Sequence, residues 1–294
     1  MSKDDKATGW RDTVVNLSAR ALLGLALLLP YRMRLMMVGR VFSGVVAPIA
    51  GWRRRIRKNL AHAMPELPQT EVEEIVTTVS RNVGRTLIEI YSGEDFVLRA
   101  MTAPLEGPGV AALEAAREAG EPIVLVTAHL GNYDVVRGKL SRSGFPMGAL
   151  YRPMANPAFN RHYVDAISTI AAPVYPTDRT GIAGLVRHLK EGGIIGIVAD
   201  VGSRKAPLLE FFGKPAHTPV SAAEWALKYE ARMIPVFGLR QPDGVTFRIH
   251  VAEPIPSGTP EEMMQRYNDI VEEIVRRDPG QWFWVHRRWK GTEI

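Results

Sequence analysis

From Gly107 onward, short apolar runs alternate with stretches of helical spacing, and no other feature restricts the fold as much. The runs at 123–127, 147–151, 173–175, 194–198, 233–239 and 246–251 read as strands. The segments at 110–119, 133–141, 158–170, 182–190, 221–229 and 260–277 read as helices. This alternation predicts an α/β fold with a central mixed, mostly parallel sheet flanked by helices on both faces. In such sheets ligands bind beyond the carboxyl ends of the strands, so the residues that follow an apolar run are the first places to look for chemistry.

The string His129-Leu130-Gly131-Asn132-Tyr133-Asp134 follows the apolar run 122–128 at that position. With seven His and eleven Asp in 294 residues, a chance His-x4-Asp pair is expected about 0.26 times per chain, so the spacing alone is weak and its place after a strand carries the weight. An imidazole there suits proton abstraction from a hydroxyl near neutral pH, and Asp134 is the expected holder of its tautomer. Gly131 and Asn132 would let the backbone double back so that the carboxylate faces a ring nitrogen. Free N–H groups at the following helix start would favour developing negative charge. A His that merely caps a helix, with Asp134 in its first turn, explains the same residues.

Two further rim positions follow from the same logic. Arg152, between Tyr151 and Pro153, ends the second run and reads as a phosphate clamp. Asp200 follows the run 194–199 and offers a second carboxylate to His129 or a hydrogen bond to substrate. Asn132 and Tyr151 complete the candidate binding residues. Phe211 and Phe212 read as an apolar slot or plain core, and His217 is not read as catalytic. No metal-ligand spacing, P-loop or G-x-G-x-x-G is found, so no cofactor and no metal is expected.

The formal charge of +6 is unevenly spread. Residues 13–65 contain no Asp or Glu but hold Arg20, Arg32, Arg34, Arg40, Arg53, Arg54, Arg55, Arg57 and Lys58, interleaved with apolar stretches. This is greasier than a nucleic-acid arm, and the preferred partner is an anionic membrane surface, with no nucleic acid. The uninterrupted apolar part, 21–29, is far short of the ~20 residues needed to span a bilayer, and no cleavage site follows it. An interfacial helix on the cytoplasmic face is expected; the alternative is that Leu17, Leu22, Leu25 and Leu29 pack on the main domain. The chain thus divides into a helical membrane-association segment, 1–64, and an α/β domain, 65–294. In the first, helices break at Pro30 and Pro48, and a basic helix runs from Arg53 to Ala63. In the second, Thr70 and Glu73 form a capping box for a long helix whose face is Val72, Ile75, Val79, Val83, Leu87 and Ile90. The C-terminal string 281–290, dense in Trp and Arg, suits a lipid headgroup boundary. The lack of Cys excludes disulfides, Cys-ligated zinc and a Cys nucleophile.

Taken together, residues 15–290 resemble the lysophospholipid acyltransferase superfamily, and within it the bacterial late acyltransferases of lipid A biosynthesis and the related phosphatidylinositol mannoside acyltransferases. The resemblance rests on 54–60 leading to Met64-Pro65, the string 129–134, Tyr151-Arg152-Pro153 with Asn156-Pro157, Asp200 before Phe211-Phe212-Gly213, and the closing 284–290. It implies transfer of a fatty acyl chain from an acyl-carrier-protein or acyl-CoA thioester to a hydroxyl of a glycolipid or phospholipid. His129 would be the general base of an HX4D motif, Asp134 its partner, and Arg152 and Asp200 further site residues. The implied place is the cytoplasmic face of the bacterial inner membrane, peripheral or monotopic. Alternatives are a lysophospholipid, aminolipid or mannosylated phosphoinositide acceptor, or a non-catalytic membrane-binding protein.

Overall fold

The computed structural model describes residues 10–145 and 147–292. Seven strands form one sheet in the order β1-β9-β8-β2-β5-β3-β4. They are β1 (Leu105–Glu106), β2 (Ile123–Thr127), β3 (Met147–Tyr151), β4 (Val174–Pro176), β5 (Ile194–Val198), β8 (Arg232–Arg240) and β9 (Phe247–Val251). All neighbours run parallel except β8 and β9, so the sheet is mixed and mostly parallel as the alternation implied. The pleat of β2 divides the interior. Val124 and Val126 face one core with α10 (Arg179–Lys190), α11 (Ser221–Lys228) and α12 (Pro260–Arg277). Ile123 and Leu125 face the other, with α6 (Glu94–Thr102), α7 (Val110–Glu118) and α8 (Asp134–Arg142). Helix α9 (Pro157–Ile170) closes the edge beside β3 and β4.

The hairpin β6 (Leu208–Phe211) and β7 (Lys214–His217) lies outside this sheet and was not expected. Its two turn residues, Phe212 and Gly213, take φ of +59° and +64°. A two-residue hairpin favours positive φ at both positions, and Phe at the first hides the usual Asn-Gly or Gly-Gly signal.

The N-terminal helices are α1 (Trp10–Leu27), α2 (Tyr31–Val41), a π turn (Phe42–Val46), α3 (Ala47–Ile49) and α4 (Trp52–Ala63). Pro30 separates α1 from α2 as expected, whereas Pro48 does not break the chain. The π turn widens the ladder ahead of it, and the break falls at Gly51, where φ is +68°. Helix α5 (Gln69–Tyr91) starts after Pro68 with no capping box. Glu73 instead accepts from Nε and Nη2 of Arg57, at 2.6 and 2.7 Å, which ties the basic helix α4 to α5. Ile56 and Leu60 of α4 belong to the main core, while α1 to α3 leave a row of apolar side chains in solvent. Among the described residues no single helix is long and apolar enough to cross a membrane; one pair bent by 85°, Tyr31–Ile49 with Trp52–Ala63, passes by length and composition.

A buried ion pair fixes α5 to the sheet. Glu89 accepts from Arg240 of β8 at 2.5 and 2.6 Å, and its Oε2 also accepts from the Asn132 amide at 2.8 Å. Removing one partner strands a buried charge. Glu89→Ala is therefore expected to cost about 3–5 kcal/mol of folding stability, and pairing Glu89→Leu with Arg240→Met to restore most of it. Urea midpoints of the two variants check this; equal losses would mean that the pair does not carry the fold.

Candidate active site

The site is made by parallel register. Thr127 pairs with Val198 across β2 and β5, and His129 and Asp200 lie two residues beyond Thr127 and Val198 respectively, on the carboxyl rim. The Ala199 N–H donating to the Thr127 carbonyl at 2.9 Å carries this alignment past the strand ends. Asp200 is then held by three donors. Its Oδ1 meets His129 Nδ1 at 2.8 Å, and its Oδ2 accepts from the His129 backbone N–H and the Trp282 indole, both at 2.9 Å. With Nδ1 donating to the carboxylate, Nε2 is left as the basic nitrogen.

Asp134 does not hold His129. Its carboxylate pairs with Arg137, three residues along the same helix, and Arg137 in turn donates to the Ile167 and Ala171 carbonyls at the end of α9. Asp134 lines the same cavity as His129, but among the described residues the only carboxylate bonded to the imidazole is Asp200. Asn132, expected to touch substrate, is fully buried. Its Oδ1 accepts from the Asp134 N–H and its Nδ2 donates to Glu89, so it braces the turn. Asp200 is likewise buried and reaches the imidazole rather than the cavity. The N–H groups of Leu130, Gly131, Asn132 and Asp134 are all taken by protein acceptors, so the turn offers no cluster of free donors at these positions.

Tyr151 and Arg152 stand where expected, half-buried and exposed, on the wall of a cavity of about 610 Å³. Leu125, Met147, Ala149, Val136 and Ile167 give it an apolar interior between the sheet and helices α8 and α9, and His129 lines it too. Gly196 keeps the β5 side open, since a Cβ there would lie 2.4 Å from the end of Met147.

The C-terminal string is core, not a headgroup surface. Trp282, Trp284, Trp289 and Arg288 are at most 2% exposed and pack with Phe211 and Phe212. Its backbone straps the turn that bears His129: the Phe283 N–H donates to the His129 carbonyl at 2.9 Å and the Gly131 N–H to the Gln281 carbonyl at 3.0 Å. The strap brings in His286, which the sequence reading did not single out. Its ring lies 4.4 Å from that of His129, and among the described residues its buried Nε2 has no hydrogen-bond partner.

The sequence matches the family model described as bacterial lipid A biosynthesis acyltransferase over residues 11–291. The chain belongs to this family. A lipid A biosynthesis acyltransferase of Haemophilus influenzae is 24% identical over 90% of this chain and 86% of the relative. The lipid A biosynthesis lauroyltransferase of Escherichia coli is 23% identical over 80% and 78%. A phosphatidylinositol mannoside acyltransferase of Mycobacterium tuberculosis is 22% identical over 81% and 78%. The family and these relatives make the protein an acyltransferase.

Burial would raise the Asp200 pKa, but the charge and hydrogen bond of His129, with His286 and the Trp282 indole, outweigh it and hold the carboxyl well below the usual carboxylate range. Burial first, then the charge of His129, pushes His286 down from 6.5 to about 4. Between those values the unfolded chain binds a proton at this position that the folded chain refuses. Stability therefore falls as pH drops from 6.5 to about 4, by on the order of 3 kcal/mol. The Asp200 contribution, present above its unfolded pKa, is lost only in stronger acid. Urea midpoints measured across this window are expected to fall with acid in the wild type and to flatten in His286→Asn. An unchanged slope in the variant would remove His286 as the cause.

Proposed function

We propose that the protein is a membrane-associated O-acyltransferase that moves a fatty acyl chain from an acyl-carrier-protein or acyl-CoA thioester to a hydroxyl of a glycolipid of the lipid A type. The observation that carries this reading is the His129–Asp200 pair beside a 610 Å³ cavity of apolar interior, large enough to take up a donor chain. In this reading His129 Nε2 takes the acceptor's hydroxyl proton as the oxygen attacks the thioester carbonyl carbon. Asp200 stabilises the imidazolium. The C–S bond then breaks, the thiolate leaves with the proton from His129, and the new ester remains on the acceptor. His286, held neutral beside the base, adds no opposing charge as His129 becomes cationic. Arg152, exposed at the cavity, serves a phosphate of the donor carrier or the acceptor. The mycobacterial relative, similar at nearly the same level as the others, supports a mannosylated phosphoinositide as the second acceptor to try.

The dyad is tested by thiol release and ester formation with an acyl-CoA and a lipid acceptor. His129→Ala and Asp200→Asn are each expected to lower turnover about 10²- to 10⁴-fold. Asp134→Asn should act less on kcat, because its carboxylate is committed to Arg137. A full effect at Asp134 with none at Asp200 would return the pairing role to Asp134.

The cytoplasmic face of the bacterial inner membrane is the proposed location. Support comes from the exposed apolar side chains of α1 to α3 and the turn after α1, where Leu28 and Ile49 are 80% and 83% exposed and Leu17, Leu22 and Leu25 also face solvent, among the basic residues of the acid-free block. The protein is expected to co-sediment with anionic vesicles, less so as salt rises, with a residual apolar component that Leu28→Asp with Ile49→Asp removes. Equal binding to neutral and anionic vesicles would dismiss the electrostatic part.

A further inference from the structure

The imidazole of His129 borders a second cavity besides the deep one. This is a groove of about 210 Å³ between α5 and the C-terminal strap. Val79, Val83, Leu87 and Ile90 form one wall, spaced three to four residues apart on one face of α5, and Phe283 stands across from them. The N-terminal half of the same helix face, Ile75 and Val79, is buried in the core, whereas Val83 and Leu87 stay half-buried. The polar side chains in the groove are already engaged. Asn82 donates to the Gly280 carbonyl, Gln281 to the Arg240 carbonyl, and the Thr86 hydroxyl accepts from Arg240. Among the described residues the lining carries, apart from His129, no ionisable group other than the Tyr133 phenol, which burial pushes well above its ordinary pKa. The groove therefore suits a hydrocarbon segment and offers nothing to a phosphate or sugar.

A line of rings connects this groove to the exposed apolar helices. Phe42 of the π turn lies 6.2 Å from Trp52, Trp52 lies 6.4 Å from Phe283, and Phe283 lies 6.1 Å from His129. Beside Phe42 stand the exposed Val41, Val45 and Ile49. The packed rings thus link the apolar surface near Phe42 to the groove's wall at Phe283, next to His129.

We propose that this groove is the subsite for an apolar chain of the acceptor, which it seats so that the acceptor's hydroxyl reaches His129 from a cavity separate from the one that holds the donor chain. The assignment rests on the acyl-transfer reading above and deepens it. The two chains approach one imidazole from separate cavities, so the acceptor's polar remainder stays at the surface and needs no passage through the deep cavity.

Two photoreactive probes test the assignment without turnover. One is a dodecyl glycoside with a diazirine in its chain; the other is a long-chain acyl-CoA with a diazirine near its terminal carbon. Each is irradiated with the full-length protein and mapped by peptide mass spectrometry. The glycoside is expected to label 79–90 and 281–283, and the acyl-CoA to label peptides containing Leu125 or Met147. Val83→Trp, which fills the groove, should cut glycoside labelling there at least tenfold while acyl-CoA labelling of the deep cavity persists and reports an intact fold. Glycoside labelling confined to the exposed helices or to the deep cavity, or acyl-CoA labelling of the groove, would overturn the proposal. Thiol release by the wild type is measured in parallel. Its failure would refute the acyl-transfer reading, whereas a misplaced label refutes the groove assignment alone.

Discussion

The site hangs on one buried carboxylate. Asp200 is 1% exposed, and an isolated charge at that depth would be strongly disfavoured. Three donors compensate it: the ring and backbone of His129, and the Trp282 indole. Those donors come from the end of β2 and from the last thirty residues, so a single charge ties the strand pair β2–β5 to the C-terminal strap. Satisfying Asp200 therefore orients the His129 imidazole. The imidazole has little freedom to turn, because its Nδ1 and its own backbone N–H bind the two oxygens of one rigid carboxylate.

A second buried charge sets the turn that bears His129. Glu89 holds Arg240 with both oxygens and Asn132 with one, and Asn132 then caps the start of α8 through the Asp134 N–H. Gly131 completes the turn with φ of +59°, and a Cβ there would lie 2.1 Å from the Gly238 carbonyl. The close approach of two backbones explains why this turn needs a glycine where the chain doubles back.

The sheet and its flanking helices were legible because apolar runs and helical periods differ sharply after Gly107; β2, β3 and β5 fall at the residues their runs marked. The rim positions of His129, Arg152 and Asp200 followed from the same runs. The partner of His129 was harder to read. Spacing favours Asp134, but a carboxylate in the first turn of a helix also faces an Arg three residues on, and here that neighbour takes it. Composition misled at the C-terminus for a related reason. Tryptophan and arginine suit a headgroup boundary and a core with hydrogen-bonded cations equally, and Arg288, bonded to the His217 carbonyl, Thr218 and Asn268, chose the second. Glu89 and His286 carried no local signal, since one is a lone acid in an amphipathic helix and the other one of several cations in a basic string. Only the tertiary fold brings them to the turn.

Helix α5 has a mechanical consequence. It is one uninterrupted rod of 23 residues that takes α4 at its start, meets α2 along its length, and pins the turn after β2 through Glu89 in its last turn. Within α5 no break separates its contacts with α2 and α4 from the turn that bears His129. For a protein resting on a bilayer through α1 to α3, the depth of immersion then sets the height of His129 above the lipid plane. Such an enzyme would meet its acceptor by how it floats rather than by closing around it, and bilayer thickness and curvature would become inputs to the reaction.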